Sequence, residues 1–487
     1  MLLDVPRLCV SLDAATAADA RGTVHGLPQS VELVELRLDR FLPGEVKGDE
    51  WTGLAGEGGR EWICTWRSPS QGGARPRPRE VWTRALASGF AWVDVEAACL
   101  DAGDPEAIAI PPSRRWVSRH LPRQPRTAAE VREAWRSLAR HEGALHKLVI
   151  PVEDFAANDW ILDVQAEAAR TGPVSVFGMG WTGHPSRVLG ALGGNAVTFL
   201  SPGKGRETAP GQLDLELALE VHRLQGMEPR PHLYGVLGHP VRHSRSPELH
   251  RRAFRARGTR ALYMLLDAPA PGGILEWVRR GRLRGVSVTS PFKEAVLAGV
   301  DRPEPAAEQI GAVNTVWGEE GLLWGANTDA EAAAEMLAAS PEGAVAILGA
   351  GGAARAVAVA ARQGGREVSI FHRDPGRGGR VASSLGATWG GSWVDLHTES
   401  FAVVVNATPV GGKGPVPDAI QDRRWRGRVF LDLPYHEGPS AWEGWVRDGG
   451  GEYRGGLEFL ARQAVGQQRR WTGGDVPLSV FLPEGGA

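Results

Sequence analysis

Short apolar runs rich in β-branched and aromatic residues recur at a regular interval through the first half of the chain. They are Leu8–Leu12, Val31–Leu38, Trp62–Trp66, Trp92–Val95, Trp116–Ser118, His146–Val152, Val174–Phe177 and Ala196–Leu200. Alanine- and arginine-rich stretches with helical spacing separate them, such as Ala128–Arg140 and Asp159–Ala169. Strand–helix alternation repeated eight times predicts a (β/α)8 barrel. The rival is a doubly wound sheet, which would more often open on a glycine-rich phosphate loop; this half shows none. Gln225–His232 carries two prolines and a glycine and reads as a linker. A second α/β pattern follows, in which the apolar run Ala344–Leu348 leads into Gly349-Ala350-Gly351-Gly352-Ala353-Ala354 and an alanine-rich helix. Gly53–Gly59 and Gly376–Gly379 read as loops.

Composition narrows the class. The 487 residues are 42% hydrophobic and 23% charged, as in soluble globular proteins. No run reaches the roughly 18 apolar residues of a membrane span, and Met1–Val10 lacks the basic region of a signal peptide. Acids (57) and bases (55) nearly balance, which argues against a nucleic-acid binder. Cys9, Cys64 and Cys99 form no CxxC and no zinc spacing, so a reduced, cytoplasmic setting without a metal is expected. Of the 55 basic residues only five are lysine: Lys47, Lys147, Lys204, Lys293 and Lys413. A chain that otherwise uses arginine keeps lysine where imine formation or proton transfer is needed, or merely as surface residue.

In a barrel, function gathers at the C-terminal ends of the strands. The polar residues there are Glu35, Arg37 and Asp39, then Arg67, then Asp94 and Glu96, then His120, Lys147 and Arg187, and finally Thr208 and Gln212. Lys147 lies in a run otherwise fit for burial. Desolvation and nearby arginines should lower its proton affinity. A neutral amine attacks a ketone and forms an imine, which acts as an electron sink. His120 would supply acid–base chemistry beside it, and Arg37, Arg67 and Arg187 would clamp a carboxylate. The plainer alternative is a strand-end lysine paired with Glu35 and a capping histidine.

These motifs resemble type I 3-dehydroquinate dehydratase. The matching pieces are ValSerLeu at Ser11, GluLeuArgLeuAsp at 35–39, TrpArgSer with GlyGly at 66–73, ValSerArgHis at 117–120, LysLeu at 147–148, MetGly…SerArg at 179–187 and ThrAlaProGlyGln at 208–212. The resemblance implies that Lys147 forms a Schiff base with the C3 ketone of 3-dehydroquinate. His120 then removes a C2 proton and helps the C1 hydroxyl leave as water. Ser11, Glu35, Arg37, Arg67, Arg187, Thr208 and Gln212 match substrate-holding positions. Two departures stand out: Gln71 replaces the glutamate that usually precedes the paired glycines, and LeuPro follows His120.

In the second half, Gly349-x-Gly351-x-x-Ala354 between a strand and a helix suits a dinucleotide pyrophosphate. His372-Arg373-Asp374 follows the next apolar run; Arg373 and Arg377 favour the 2′-phosphate of NADP, whereas Asp374 would suit NAD. Lys293 and Asp329 would form a proton-transfer pair for reducing a ketone, or an ordinary surface ion pair. The order of motifs resembles shikimate dehydrogenase: Tyr234-Gly-Val-Leu-Gly238, His243-Ser-Arg-Ser-Pro247, His250, GlyAlaValAsnThr at 311–315, AsnThrAsp at 327–329, GlyAlaGlyGlyAlaAla at 349–354, AsnAlaThrPro at 406–409, AspLeuProTyr at 432–435 and Gln463-Ala464. The resemblance implies Lys293 and Asp329 as the catalytic pair. Ser244, Ser246, Thr289, Asn314, Tyr435 and Gln463 would hold substrate. Gly349, Ala350, Gly351, Gly352, Ala353, His372, Arg373, Arg377, Leu433 and Gly456 would hold NADP. Ser287, His372 and GluPhe at 458–459 depart from the usual pattern.

The expected architecture is an α/β chain: a (β/α)8 barrel over 1–226, a substrate-binding domain over 233–330 completed by 440–487, and a Rossmann-type NADP domain over 331–439. The expected function is bifunctional: dehydration of 3-dehydroquinate to 3-dehydroshikimate, then NADPH-dependent reduction to shikimate, with only small-molecule partners. Three alternatives stay open: a catabolic NAD-dependent quinate/shikimate dehydrogenase, a ligand sensor built on these domains, and a dehydrogenase joined to a decayed dehydratase.

Overall fold

The computed structural model describes residues 6–48, 50–69, 73, 75–221, 231–411, 416, 420, 424–435, 438 and 440–482. The chain forms two compact units, Met1–Pro231 with Met264–Pro269, and His232–Tyr263 with Ala270–Ala487. Most of the expected linker lies outside the described residues; His232 already begins a strand.

In the first unit, β1 (Arg7–Leu12), β2 (Leu33–Arg37), β3 (Glu61–Thr65), β4 (Trp92–Glu96), β5 (Arg115–His120), β6 (Leu145–Pro151), β7 (Val174–Met179) and β8 (Val197–Ser201) fall on the eight expected runs. They pair in parallel in the order β7-β6-β5-β4-β3-β2-β1-β8, and the short β9 (Leu213–Asp214) pairs in parallel beside β8. At the β7–β8 seam, Ala196 N donates to Val174 O, Ser175 Oγ to Val197 O, and Asn195 Nδ2 to Val176 O. The two-residue period of β6 divides its side chains between two environments. Leu145 and Val149 join Cys9, Leu33, Ile63, Trp116, Phe177 and Phe199 inside the barrel. Leu148 and Ile150 pack outward on the helices Ala128–Ala139 and Ala157–Ala168, against Val131, Leu138 and Ile161. Lys147 sits between Leu145 and Val149 in this alternation and therefore points inward.

Two further sheets follow in the chain. The first contains β10 (His232–Gly238), β11 (Ala261–Asp267), β12 (Gly285–Val288), β13 (Arg302–Pro303), β14 (Thr315–Glu319) and β15 (Leu322–Ala326), ordered β11-β10-β12-β14-β15-β13. The β14–β15 hairpin is antiparallel. The second contains β16 (Val345–Leu348), β17 (Val368–Phe371), β18 (Thr388–Gly391), β19 (Val403–Asn406), β20 (Val429–Asp432) and β21 (Glu452–Arg454), ordered β18-β17-β16-β19-β20-β21 and parallel throughout. That is the 3-2-1-4-5-6 order of a doubly wound dinucleotide fold. The boundary expected at 439 falls later. β21 is the sixth strand of this sheet, and Trp442 and Val446 of the helix Ala441–Asp448 pack on its Phe430. The helix Gly456–Thr472 then returns to the first sheet's lobe, placing Leu460, Ala461 and Ala464 against Leu249 and Ala253.

Two glycine-rich stretches read as loops are partly helical. Gly376–Gly379 lies within the helix Pro375–Ser384, because Asp374 caps Arg377 N and Pro375 supplies a pre-set first turn. Gly378 is required for close packing, since a Cβ there would fall 2.1 Å from the Trp389 ring. Gly53 and Gly58 lie in short 3-10 turns.

His250 is buried, stacks 4.4 Å from Tyr263, donates from Nε2 to Gln467 Oε1 at 3.0 Å and accepts at Nδ1 from Gln468 Nε2 at 2.9 Å. A second ring proton would face the Gln468 donor. Burial pushes its pKa down to about 3. The unfolded chain therefore binds this proton below pH about 6.5 and the folded chain does not, so stability falls as pH drops through that window. We expect denaturant melts of His250→Asn to lose this part of the pH slope between about pH 6.5 and 4. An unchanged slope would show that another group carries it.

Candidate active sites

Parallel register brings the inward polar residues of the barrel to one level. Ser11 stands opposite Glu35, Thr65 opposite Asp94, Glu96 opposite Ser118, and Ser118 opposite Lys147. Lys147 Nζ donates to Glu35 Oε1 at 3.1 Å and to Asp94 Oδ2 at 3.5 Å, and lies 3.7 Å from the Phe199 ring centre. Glu35 also accepts from Ser11 Oγ at 2.5 Å and Thr65 Oγ1 at 3.0 Å. Arg67 binds Asp94 through both terminal nitrogens, at 2.8 and 2.5 Å, and reaches Glu96 Oε1 at 2.8 Å. Burial alone would raise Glu35; Lys147 and Arg67 outweigh it and hold the carboxyl at about 2. Burial likewise opposes ionisation of Asp94, but Arg67 and Lys147 hold it well below the usual carboxylate range.

The three arginines expected to clamp a carboxylate divide. Arg37 is taken up by a two-pronged bond to Asp39, 2.8 Å on each prong, and Arg67 by the acids of β4. Only Arg187, on the helix His184–Leu192, is paired with no carboxylate among the described residues. It is buried, lies 4.4 Å from the Phe177 ring centre, and leaves Nε without a hydrogen-bond partner; burial pushes it down to about 9. Thr208 donates to Gln212 Oε1 from both N and Oγ1, at 2.8 and 3.1 Å. His120 Nδ1 stands 2.7 Å from Glu96 Oε1, close but not aligned as a hydrogen bond. Burial lowers the imidazole's pKa; Glu96 opposes this, and Arg67 and Lys147 reinforce it. Gln71 lies outside the described residues. Sequence reasoning left out Asp94, Glu96, Ser118 and Phe199 as site residues, although the strand-end pattern contained both acids.

In the second unit, Lys293 Nζ donates to Asp329 Oδ2 at 2.6 Å. Asp329 is buried, and its other oxygen accepts from Asn314 Nδ2 at 2.9 Å. Asn314 Nδ2 also lies 3.1 Å from Gln463 Oε1, so the helix after β15 (Thr328–Ala338), the turn before β14 and the returning helix converge on one point. Ser244 Oγ accepts from Ser246 N at 3.2 Å, and Tyr435 Oη from Arg245 N at 3.4 Å. Thr289 N is bonded to Leu237 O, which fixes its turn beside β10. Ser287 is hydrogen-bonded to Tyr263 and Gln467 at 2.5 and 3.1 Å.

The glycine loop suits a pyrophosphate. Gly349 has φ +122°, a conformation that disfavours other residues, and Gly351 precedes the helix Gly352–Gln363 with open space where a Cβ would stand. Ala350 is buried beneath the loop and Ala353 half-buried. A Cβ at Gly352 would lie 3.2 Å from Lys293 Cδ, so loop and lysine adjoin. Arg373 and Arg377 are exposed, whereas Asp374 is turned to cap its helix and His372 Nδ1 accepts from Asp374 N. Leu433 N is bonded to Asn406 O, and Gly456 sits where a Cβ would fall 2.3 Å from Leu433 O. Of the described lysines, Lys47 and Lys204 are exposed, Lys293 is half-buried and Lys147 is buried.

A shikimate dehydrogenase (NADP(+)) of Thermus thermophilus is 40% identical over 250 residues, covering 49% of this chain and 92% of that protein. This chain belongs to the shikimate dehydrogenase family. The family model for the shikimate dehydrogenase substrate binding domain matches residues 236–316, and that for type I 3-dehydroquinase matches residues 8–229. The chain is thus a bifunctional shikimate-pathway enzyme, a lyase domain followed by an oxidoreductase. A bifunctional 3-dehydroquinate dehydratase/shikimate dehydrogenase of Arabidopsis thaliana is 29% identical over 327 residues, 62% of this chain and 54% of that protein. The solved shikimate 5-dehydrogenase of Thermus thermophilus in complex with NADP(H) and shikimate is 37% identical, with a TM-score of 0.47 over 51% of this chain and 97% of that one. Among the described residues of this enzyme, no helix is long and apolar enough to cross a membrane.

An unpaired buried guanidinium destabilises a fold that has no anion to offset it. Arg187→Met is therefore expected to raise the dehydroquinase domain's stability by about 1 kcal/mol or more while abolishing its turnover. Calorimetry with a dehydration assay checks this; a drop in both would mean that Arg187 holds the barrel together.

Proposed function

We propose that the barrel converts 3-dehydroquinate to 3-dehydroshikimate through an imine on Lys147, and that the second unit reduces that product to shikimate with NADPH. The observation that carries the first step is a buried lysine on the inner barrel face, close enough to His120 for the imidazole to feel its charge. Arg187 binds the substrate carboxylate, which supplies the anion its burial calls for. Lys147 passes a proton to the neutral His120, its amine adds to the C3 ketone, and the carbinolamine hydroxyl takes a proton back from His120 and leaves as water, giving the protonated imine. His120 takes a C2 proton, the electrons shift into the enamine, and the C1 hydroxyl departs with that proton as water. Hydrolysis of the imine restores Lys147 and releases the conjugated product. Glu35 and Asp94 hold Lys147 in place; Ser11 and Thr65 hold Glu35; Thr208 and Gln212 bind substrate hydroxyls. Arg37 acts by fixing the strand end through Asp39, and Arg67 by organising the β4 acids.

For reduction, the Lys293–Asp329 contact of 2.6 Å carries the reading. Lys293 gives a proton to the oxygen of the ketone as it becomes an alcohol, solvent restores that proton to the half-buried amine, and Asp329 stays ionised and holds Lys293 in place. Asn314 keeps Asp329 oriented. Ser244, Ser246, Thr289, Tyr435 and Gln463 bind the carboxylate and hydroxyls. When bound, NADPH supplies the two-electron reduction of the ketone. Gly349, Ala350, Gly351, Gly352 and Ala353 would cradle its pyrophosphate, and Leu433 and Gly456 would wall its nicotinamide. Arg373 and Arg377, with His372 between sheet and turn, would grip the 2′-phosphate. Asp374 is spent on its helix cap, which removes the objection it raised to NADP. The three cysteines are free thiols, as suits a reducing compartment.

Borohydride added with 3-dehydroquinate is expected to fix the ligand's mass on Lys147; labelling at another lysine would sink the imine assignment. Lys293→Met should slow shikimate oxidation by about 10²-fold or more and leave dehydration intact. Equal loss of both activities would contradict independent sites. Arg373→Ala should weaken NADPH binding about 10-fold or more and leave NADH unaffected.

A further inference from the structure

Glu96 closes β4 and is buried. Its Oε1 accepts from Arg67 Nη1 at 2.8 Å and lies 2.7 Å from His120 Nδ1. The ladder fixes this approach: Glu96 stands opposite Ser118, and His120 follows two residues later on the same side of β5. Among the described residues, the charged groups facing the imidazole are Glu96 from β4, Arg67 from the turn after β3 and Lys147 from β6. Glu96 is the one acid of the three. A neutral imidazole carries a single proton, and the nitrogen beside a carboxylate is the one that holds it. That leaves Nε2 bare.

We infer that Glu96 is the positioning residue of His120: it keeps the ring proton on Nδ1, turns Nε2 to the substrate and stabilises the imidazolium formed when His120 takes the C2 proton. The inference rests on the dehydration reading above. The proton arrives at Nε2 and leaves with the C1 hydroxyl as water, so Glu96 stays ionised throughout and His120 ends as it began. A competing role exists for the same carboxylate, namely bracing Arg67 alone. The two differ in what His120 feels.

The test is a histidine titration in the full chain. Protein labelled with carbon-13 in its histidine rings is followed by NMR, and the His120 signal is assigned by its loss in His120→Asn. Removing the negative charge in Glu96→Gln should move the His120 midpoint down by about 1 pH unit or more and depopulate the Nδ1–H tautomer. Glu96→Asp, which retracts the acid by one methylene, should move it less and in the same direction. The acid limb of kcat/KM for dehydration should follow to lower pH. kcat itself should fall on the order of 10- to 100-fold, a share of what a positioned acid–base supplies, with KM little changed. An unmoved His120 titration in Glu96→Gln, whatever its stability, would overturn the inference and leave Glu96 as a brace for Arg67. If Glu96→Gln does not fold, Glu96→Asp carries the same comparison. Wild-type protein inert toward 3-dehydroquinate would instead overturn the dehydration reading, and the NMR titration would still decide the Glu96–His120 pairing.

Discussion

Everything in the barrel follows from placing an amine where water cannot solvate it. A charge buried inside parallel strands is tolerated only when opposite charges and hydrogen bonds surround it. Glu35 and Asp94 meet that need for Lys147, but two buried carboxylates demand cations of their own. Arg67 answers by bridging Asp94 and Glu96, and Ser11, Thr65 and Ser118 satisfy the remaining oxygens. The network is thus a chain of obligations passed from strand to strand by the ladder register. Arg187 stands outside it, a third cation against three acids, held by an aromatic face. Among the described residues no carboxylate answers its charge, which is the observation behind the proposal that an anionic substrate does.

The second unit solves a similar problem with less burial. Lys293 keeps partial contact with solvent while Asp329 is sealed beneath it. Orientation comes from Asn314, which touches Asp329, Thr328 and Gln463 at once. Those residues arrive from three separated stretches of chain, so the full set of contacts to Asn314 is complete only once the returning helix has docked.

Much of this was legible in the chain. The eight apolar runs matched eight strands because buried parallel strands read as continuous hydrophobic stretches. Scarcity of lysine singled out Lys147 and Lys293, and both turned out to be shielded. Acids such as Asp94 and Glu96 were visible at a strand end, yet nothing in one strand says which arginine on the next will reach them. For the same reason Arg37 and Arg67 read as substrate clamps, though each is committed to a nearby carboxylate. Gly376–Gly379 misled because glycine signals a turn locally, whereas the cap from Asp374 and the pressure of Trp389 are non-local. β21 was misassigned to the neighbouring lobe because three residues carry too little pattern to announce a strand.

The contact between Gly352 and the stem of Lys293 bears on how variants of this enzyme are interpreted. Nucleotide loops are common targets for redesigning cofactor choice, and position 352 looks like a spare glycine in such a loop. Any side chain introduced there would press on the stem of Lys293, whose amine is bonded to Asp329. A variant there would disturb the lysine and the loop together, so its effect would not belong to the loop alone. Loop engineering in this fold therefore has its freedom at Gly351, which faces open space, and not one residue further on.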